Sequence, residues 1–314
     1  MCVPSTSPPP VIGRFAPSPT GPLHVGSLVA AVASYAMARR QGGLWLVRME
    51  DLDTPRVVPG MADDILRTLE CLGFDWDGDI MRQSLRADAY GAALQRLLAA
   101  GHAYPCGCSR AEIARAATAP HDGDGEIPYP NLCRGGLLPG KEPRSFRVRV
   151  PAEPVEFTDL VMGPQRHDLA AICGDFVIKR ADGLFAYQLA VVVDDEAQGV
   201  TQVVRGADLL SSTPRQIVLQ RLLGFDTPAY AHVPLVTGPG GGKLSKRDNA
   251  LSLAAGRDLT REGGLLLLTA LRFLGQSPPA ELVGAPGARV LQWAAGNFDP
   301  LAIPTAAAPF HASP

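Results

Sequence analysis

The sequence predicts an α/β protein: a parallel sheet split in two by an inserted α+β stretch, with a short helical subdomain after it. Three observations carry this. Strand-like apolar runs alternate with helical spacing over residues 11–72, a βαβα rhythm that builds a parallel sheet with right-handed crossovers. The same rhythm resumes over 187–236, and what lies between is loop-rich and β-like. Beyond residue 250 the apolar positions take helical spacing alone. We divide the chain into a disordered lead-in (1–10), a first half of the sheet domain (11–103), an inserted subdomain (104–186), a second half (187–250) and a C-terminal helical subdomain with its tail (251–314).

Composition narrows the class. The 314 residues are 46% hydrophobic and 19% charged, which fits a soluble chain with a sizeable core. A net charge of -2 announces no nucleic-acid partner, so RNA would have to be met by local basic patches. No apolar run approaches the ~20 residues of a membrane span. Met1 to Pro10 is rich in proline and serine and has no apolar segment of the signal-peptide kind. Six cysteines in a chain this long make no disulfide scaffold, so a reduced, cytoplasmic protein with no membrane partner is expected.

Val11 to Phe15 is short, largely apolar and strand-like. The segment Arg14-Phe15-Ala16-Pro17-Ser18-Pro19-Thr20-Gly21-Pro22-Leu23-His24-Val25-Gly26-Ser27 follows from it. Its prolines disfavour a helix, and helical spacing starts at Ser27. A loop that opens a helix after a first strand puts free N–H groups and a positive dipole end at the sheet's edge, where a phosphate can bind. His24 can donate to a phosphate oxygen, and Gly26 lets a ligand approach the backbone. Residues 44–51 read as a buried strand ending in acids. Glu50 at its end holds an amino group or caps the loop Asp51 to Pro55, which Asp51, Asp53 and Arg56 brace. Helices are expected over Met61 to Leu72 and Arg86 to Ala100, each closed by a glycine, Gly73 and Gly101.

In the inserted stretch Cys106 and Cys108 stand one residue apart, with Cys133 25 residues on. Three thiolates so spaced suggest a tetrahedral zinc site that needs a fourth ligand, for which His121 is the chemically easy choice. Period-2 patterning marks a strand over Ser145 to Val150, and hairpins over Val155–Leu160 with Gln165–Leu169 and over Asp175–Arg180 with Leu184–Tyr187. Gln188 to Ala197 reads as a helix and Thr201 to Arg205 as a strand. Ser212-Thr213-Pro214 reads as the capped start of a helix that runs to Gly224. Tyr230 to Val236 is the next strand. Arg205, at a strand's C-terminal end, forks onto a carboxylate or pairs with Asp208. Leu259 to Leu274 and Ala288 to Ala295 are helical, and from about Leu301 the chain looks loosely ordered.

Behind the glycine-rich run Gly238 to Gly242 stands Lys243-Leu244-Ser245-Lys246-Arg247, read as a mobile loop. This stretch and the His24 loop together resemble the paired signatures of class I aminoacyl-tRNA synthetases, and R-F-A-P-S-P-T-G-x-L-H-x-G resembles their glutamate-specific branch. Ser27 and Arg247, which end the two signatures, fall where class I members vary. The resemblance spans about residues 11 to 300 and implies a split Rossmann-type sheet. It implies ATP, with Mg²⁺, gripped by His24, Gly26, Lys243 and Lys246, of which His24 and Lys246 are catalytic. It implies L-glutamate held by Arg14, Phe15, Ala16, Pro17, Ser18, Glu50, Tyr187 and Arg205. It also points to Tyr129, four residues before Cys133, as the fourth ligand of a structural Zn²⁺ with Cys106, Cys108 and Cys133.

Full-length glutamyl-tRNA synthetases carry a further helical region that reads the anticodon; here only a short helical stretch follows Lys246. The resemblance is thus to their truncated paralogues. What it implies is activation of glutamate without tRNA and transfer to queuosine in the anticodon loop of tRNA(Asp), by a monomer. The alternatives are a truncated glutamyl-tRNA synthetase that charges a tRNA 3′ end, and a non-catalytic RNA-binding paralogue.

Overall fold

The computed structural model describes residues 10–116, 127–238, 253 and 256–310. His121, Lys243, Lys246 and Arg247 lie outside them. In chain order the first half holds β1 (Ile12–Phe15), α1 (Val25–Arg40), β2 (Leu44–Met49), α2 (Met61–Cys71), β3 (Met81–Arg82) and α3 (Ala87–Ala99). Then come β4 (Ala103–Cys106), α4 (Arg110–Ala116), β5 (Ser145–Val148), β6 (Val155–Asp159), β7 (Gly163–His167), α5 (Leu169–Ile172) and β8 (Val177–Lys179). The chain continues through α6 (Tyr187–Ala197), β9 (Gln202–Gly206), α7 (Thr213–Leu223), β10 (Ala229–Val233) and β11 (Val236–Thr237). The described part closes with α8 (Leu259–Phe273), α9 (Gly287–Asn297) and β12 (Ala308–Pro309).

The central sheet runs β3-β2-β1-β9-β10-β6-β7, parallel except for the last pair. The chain leaves β1 toward β2 and β3 on one side and later leaves β9 toward β10 on the other. The direction reverses between β1 and β9, which is where open α/β sheets bind ligands. Register and pleat then sort the side chains. Arg14 pairs in register with Leu46, Tyr230 with Val203, His232 with Arg205 and Asp159 with Tyr230. Because successive residues of a strand alternate faces, Arg14, Arg48, Arg205, His232 and Asp159 all project from one face. The other face carries Phe15, Trp45, Val47, Val204, Ala231 and Val233, packed in one core with α1, α8 and α9. α1 is buried nearly all round, and its small residues let it lie close to β1: a Cβ on Gly13 would come within 3.0 Å of the Ala38 methyl.

Several elements depart from the sequence expectation. α1 starts at Val25 rather than Ser27, because His24 is its N-cap. β3 is an unforeseen two-residue strand beside Arg48 and Met49. The β6–β7 hairpin extends the central sheet, pairing through Asp159 with Tyr230, whereas β4, β5 and β8 form a sheet of their own. The second arm after β8 shrinks to one bridge, Lys179 to Phe185, because α6 already begins at Tyr187. Ser212 makes no side-chain cap; a 3-10 turn over Ala207–Ser212 runs straight into α7, and the Ser212 hydroxyl accepts from Gln188 instead. The tail expected to be loose is fastened: Ala308–Pro309 pairs with Val236–Thr237, and Phe310 packs on Phe273. Among the described residues no helix is long and apolar enough to cross a membrane.

Candidate active site

The signature loop is stitched to the sheet edge. The Glu50 N–H donates to the Pro17 carbonyl and the Val58 N–H to that of Pro19, each at 2.9 Å. At its end the His24 Nδ1 accepts from the Ser27 N–H at 3.2 Å. An accepting Nδ1 puts the neutral ring's proton on Nε2, so His24 presents an N–H donor beside the helix N-terminus. Gly26 has a second reason to be glycine: a Cβ there would stand 3.1 Å from the His24 ring.

Around the β1/β9 boundary lies a buried polar cluster. Arg14, 3% exposed, directs Nε and Nη2 at the Asp195 carboxylate on α6, at 3.2 and 3.5 Å. Arg48, fully buried, meets Asp195 at 2.8 Å and Glu50 at 3.4 Å. Burial pushes the Glu50 carboxyl up, against the pull of Arg48 and Arg14. Asp195 is held below the usual carboxylate range because Arg14 and Arg48 outweigh its burial. The Tyr187 phenol is raised by burial among Glu50, Arg205, Arg14 and Asp195, the groups the sequence assigned to one pocket plus the aspartate it did not.

Arg205 differs. Its Nε donates to His232 Nε2 at 3.1 Å, and its Nη2 to Thr213 Oγ1 and Gln216 Oε1, both at 2.8 Å. Among the described residues its Nη1 reaches the Tyr187 hydroxyl alone, at 3.5 Å. Among the described residues no carboxylate pairs with Arg205, and the alternative pairing with Asp208 is not formed. Gln216, 1% exposed, leaves its Nε2 without a hydrogen-bond partner, a second buried donor at this corner.

Of the remaining assigned residues, Pro17 is buried, Ala16 half-buried and Ser18 exposed. The Phe15 ring turns away from the cluster and stacks on Trp45 in the core beneath α1, so only its backbone belongs to the site. Asp53 braces Arg56 as expected, but Asp51 accepts from the backbone and hydroxyl of Ser84. Asp194, on which no sequence motif falls, accepts from Gln83, Arg86 and Tyr90.

In the inserted stretch the thiols of Cys106, Cys108 and Cys133 lie within 4.8 Å of one another. The Tyr129 hydroxyl completes the group, 3.4 Å from Cys106 Sγ and 3.6 Å from Cys108 Sγ, with Cys108 and Cys133 3.5 Å apart. Donors bound tetrahedrally at about 2.0–2.3 Å stand about 3.3–3.8 Å from each other, and these three separations match that spacing. The Arg147 guanidinium lies over the Tyr129 ring, 3.7 Å from its centre, with Nε 3.4 Å from Cys106 Sγ. Burial pushes the Cys106 thiol up, but hydrogen bonds to Tyr129 and from Arg147 overcome it and bring it to about 7.

Residues 10–282 match the family model of the class I tRNA synthetases (E and Q), catalytic domain. The chain belongs to this family. It therefore carries the catalytic domain of a class I aminoacyl-tRNA synthetase, an ATP-using ligase. Over its full 314 residues it is 95% identical to a glutamyl-Q tRNA(Asp) synthetase of Geobacter sulfurreducens, all of which it covers. It is 56% identical to that of Thiobacillus denitrificans, over 94% of this chain and 95% of the relative. A glutamate-tRNA synthetase from Elizabethkingia anophelis superposes with a TM-score of 0.80 at 28% identity, over 96% of this chain and 68% of that one. A glutamate tRNA ligase from Elizabethkingia meningosepticum, solved with its amino acid, gives 0.81 at 28%, over 96% and 67%.

Sequence reasoning missed Arg48, Asp195, His232, Asp159, Thr213 and Gln216. One signal was available: an arginine within the buried run Leu44 to Met49 demands a buried counter-charge.

Proposed function

We propose that this synthetase activates L-glutamate with ATP to glutamyl-AMP without tRNA, then transfers the glutamyl group to queuosine in the anticodon loop of tRNA(Asp). The observation that carries the reading is Arg205, a buried guanidinium whose partners among the described residues are all neutral and whose charge an acid would balance. The near-identity to a glutamyl-Q tRNA(Asp) synthetase supports the acceptor. Glutamine at this corner would leave the guanidinium unpaired, so discrimination between the two is steep.

In the first step an oxygen of the substrate α-carboxylate attacks the α-phosphorus of ATP. The bond from that phosphorus to the bridging oxygen breaks, and pyrophosphate leaves with the electron pair. The protein's work is positioning and charge stabilisation. His24, through Nε2–H, and the start of α1 at Gly26 donate to phosphate oxygens. Lys246 closes over the leaving group, and Lys243 also grips the nucleotide. Glu50 takes the substrate ammonium, and Tyr187 and Arg205 take its side-chain carboxylate. Arg14 offers Nη1, the part Asp195 does not engage, while Ser18 and the backbone of residues 15–17 form the wall. In the second step a hydroxyl of the queuosine ring attacks the activated carbonyl carbon and AMP leaves.

Mg²⁺ accompanies ATP and adds charge neutralisation. A Zn²⁺ held by Cys106, Cys108, Tyr129 and Cys133 ties down a stretch whose own core is small. The protein works as a cytoplasmic monomer, and 104–186 serves as its inserted subdomain.

The test is glutamate-dependent ATP–pyrophosphate exchange without tRNA, followed by locating radioactive glutamate after transfer. Exchange, with label on queuosine of tRNA(Asp), is expected. No exchange removes the activation step; label on the 3′ ribose of tRNA(Glu) makes the chain a truncated glutamyl-tRNA synthetase. Metal analysis should find one zinc per chain in the wild type and none in Cys133→Ser.

A further inference from the structure

Arg205 is aimed by a chain of buried groups that crosses three strands. Asp159, at the end of β6, receives four donors. The N–H groups of Val161, Met162 and His232 reach its Oδ1 at 3.0, 2.8 and 3.1 Å, and His232 Nδ1 lies 2.6 Å from its Oδ2. A carboxylate so surrounded only accepts, so the proton of this bond sits on His232 Nδ1. The Arg205 Nε–H then points at His232 Nε2, and two donors cannot face each other at 3.1 Å. His232 is therefore the neutral Nδ1–H tautomer, with its Nε2 lone pair turned to the guanidinium. His232 and Asp159 are 0% and 1% exposed.

This has a consequence for charge. Had a carboxylate stood where His232 stands, it would orient Arg205 equally well but cancel its charge, as Asp195 does for Arg14. A neutral imidazole supplies direction without neutralisation. His232, Thr213 and Gln216 engage three of the five N–H donors and pin the plane, leaving the Nη1 edge by Tyr187. Asp159 supplies the negative charge one bond further away, through the ring. It comes from the hairpin β6–β7, which explains why that piece of the inserted stretch is built onto the central sheet.

We infer that His232 and Asp159 are positioning residues that set Arg205's selectivity for an acidic side chain, His232 by serving as a neutral acceptor and Asp159 by fixing its tautomer. This rests on the reading that Arg205 receives the glutamate side chain. The test is the KM for glutamate and for ATP in pyrophosphate exchange, in the wild type, His232→Asn, His232→Gln and Asp159→Asn. The asparagine amide can replace the Nδ1 donor but not the Nε2 acceptor; the longer glutamine can place an oxygen at the Nε2 position. His232→Asn should raise the KM for glutamate about tenfold or more and erode the preference over glutamine, with the KM for ATP within about twofold. His232→Gln should recover most of the loss, and Asp159→Asn should fall between. Where His232→Asn does not fold, Thr213→Val removes another neutral acceptor and should give the same split. An unchanged glutamate KM, a parallel rise in both KM values, or no advantage of glutamine over asparagine would overturn the inference while leaving wild-type exchange intact. Absence of exchange in the wild type would instead remove the reading beneath it, and the inference with it.

Discussion

Arg14 and Arg205 stand on adjacent strands, project from the same face and are almost equally buried, at 3% and 5% exposed. Their surroundings differ in one respect. The first-half arginines, 14 and 48, share the carboxylates of Asp195 and Glu50, whereas the second-half arginine has an imidazole, a hydroxyl and an amide. A buried cation beside a carboxylate is part of the scaffold, because removing either partner strands the other. One beside neutral groups costs stability until a ligand supplies the missing charge. Arg14 and Asp195 thus join β1 to α6, whatever else Arg14 Nη1 does, whereas Arg205 is the arginine that the proposed function gives to the substrate side chain.

The largest effect that could break this division is on activity. Arg205→Ala should lower kcat/KM for glutamate in the exchange reaction by about 10³-fold, the scale of a lost buried charge contact, with little loss of melting temperature. A large drop in melting temperature with near-normal kinetics would put Arg205 in the scaffold. Asp195→Asn tests the other side. Leaving Arg14 and Arg48 without their shared carboxylate should destabilise the fold by about 3–5 kcal/mol, read from urea unfolding midpoints. The β1 loop supplies a smaller effect. Gly26→Ala crowds the His24 ring and should reduce kcat about tenfold while leaving the KM for glutamate alone, since the proposed function gives that ring to phosphate rather than to the acid. Should the glutamate KM change instead, the two halves of the site are not separate in function.

The smallest expected effect is in pH. Burial, with Arg205 adding to it, lowers the His232 pKa against the opposing pull of Asp159. The Arg14 charge also lowers it, and Tyr230 stacks on the ring. Asp159 is held low by the hydrogen bonds that outweigh its own burial. A histidine kept neutral when folded binds its proton first in the unfolded chain. Its contribution is therefore present above the ordinary imidazole value of about 6.5 and is lost as pH falls below it. The low Asp159 value works in the same direction at lower pH. Stability should decline on acidification, and His232→Gln should flatten the part of the curve just below about 6.5, as followed by urea titrations at stepped pH.

The strands β1, β2, β9 and β10 were legible because each is a compact apolar run, and α2, α3 and α7 because glycines close them. β3 was not, since two residues carry no period. The β6–β7 hairpin was legible as a hairpin, but alternation tells which side chains share a face and not which strand lies alongside. The site divides in the same way. Arg14, Tyr187 and Arg205 stood out through motifs and strand ends, and the Cys106, Cys108 and Cys133 spacing brought the thiols together as read. The partners of the arginines did not, because Arg14 and Asp195 are 181 positions apart and His232 and Asp159 are 73 apart. Local periodicity has no access to such pairs; only the closed sheet brings them into register.

The parallel pairing of Ala308–Pro309 with Val236–Thr237 has a practical side. The residues that lead directly into 239–250, the segment with both signature lysines, are clamped by the far end of the chain. Trimming back past position 308, or hanging a fusion partner there, removes the pairing partner of Val236–Thr237. A purification handle belongs at the opposite terminus.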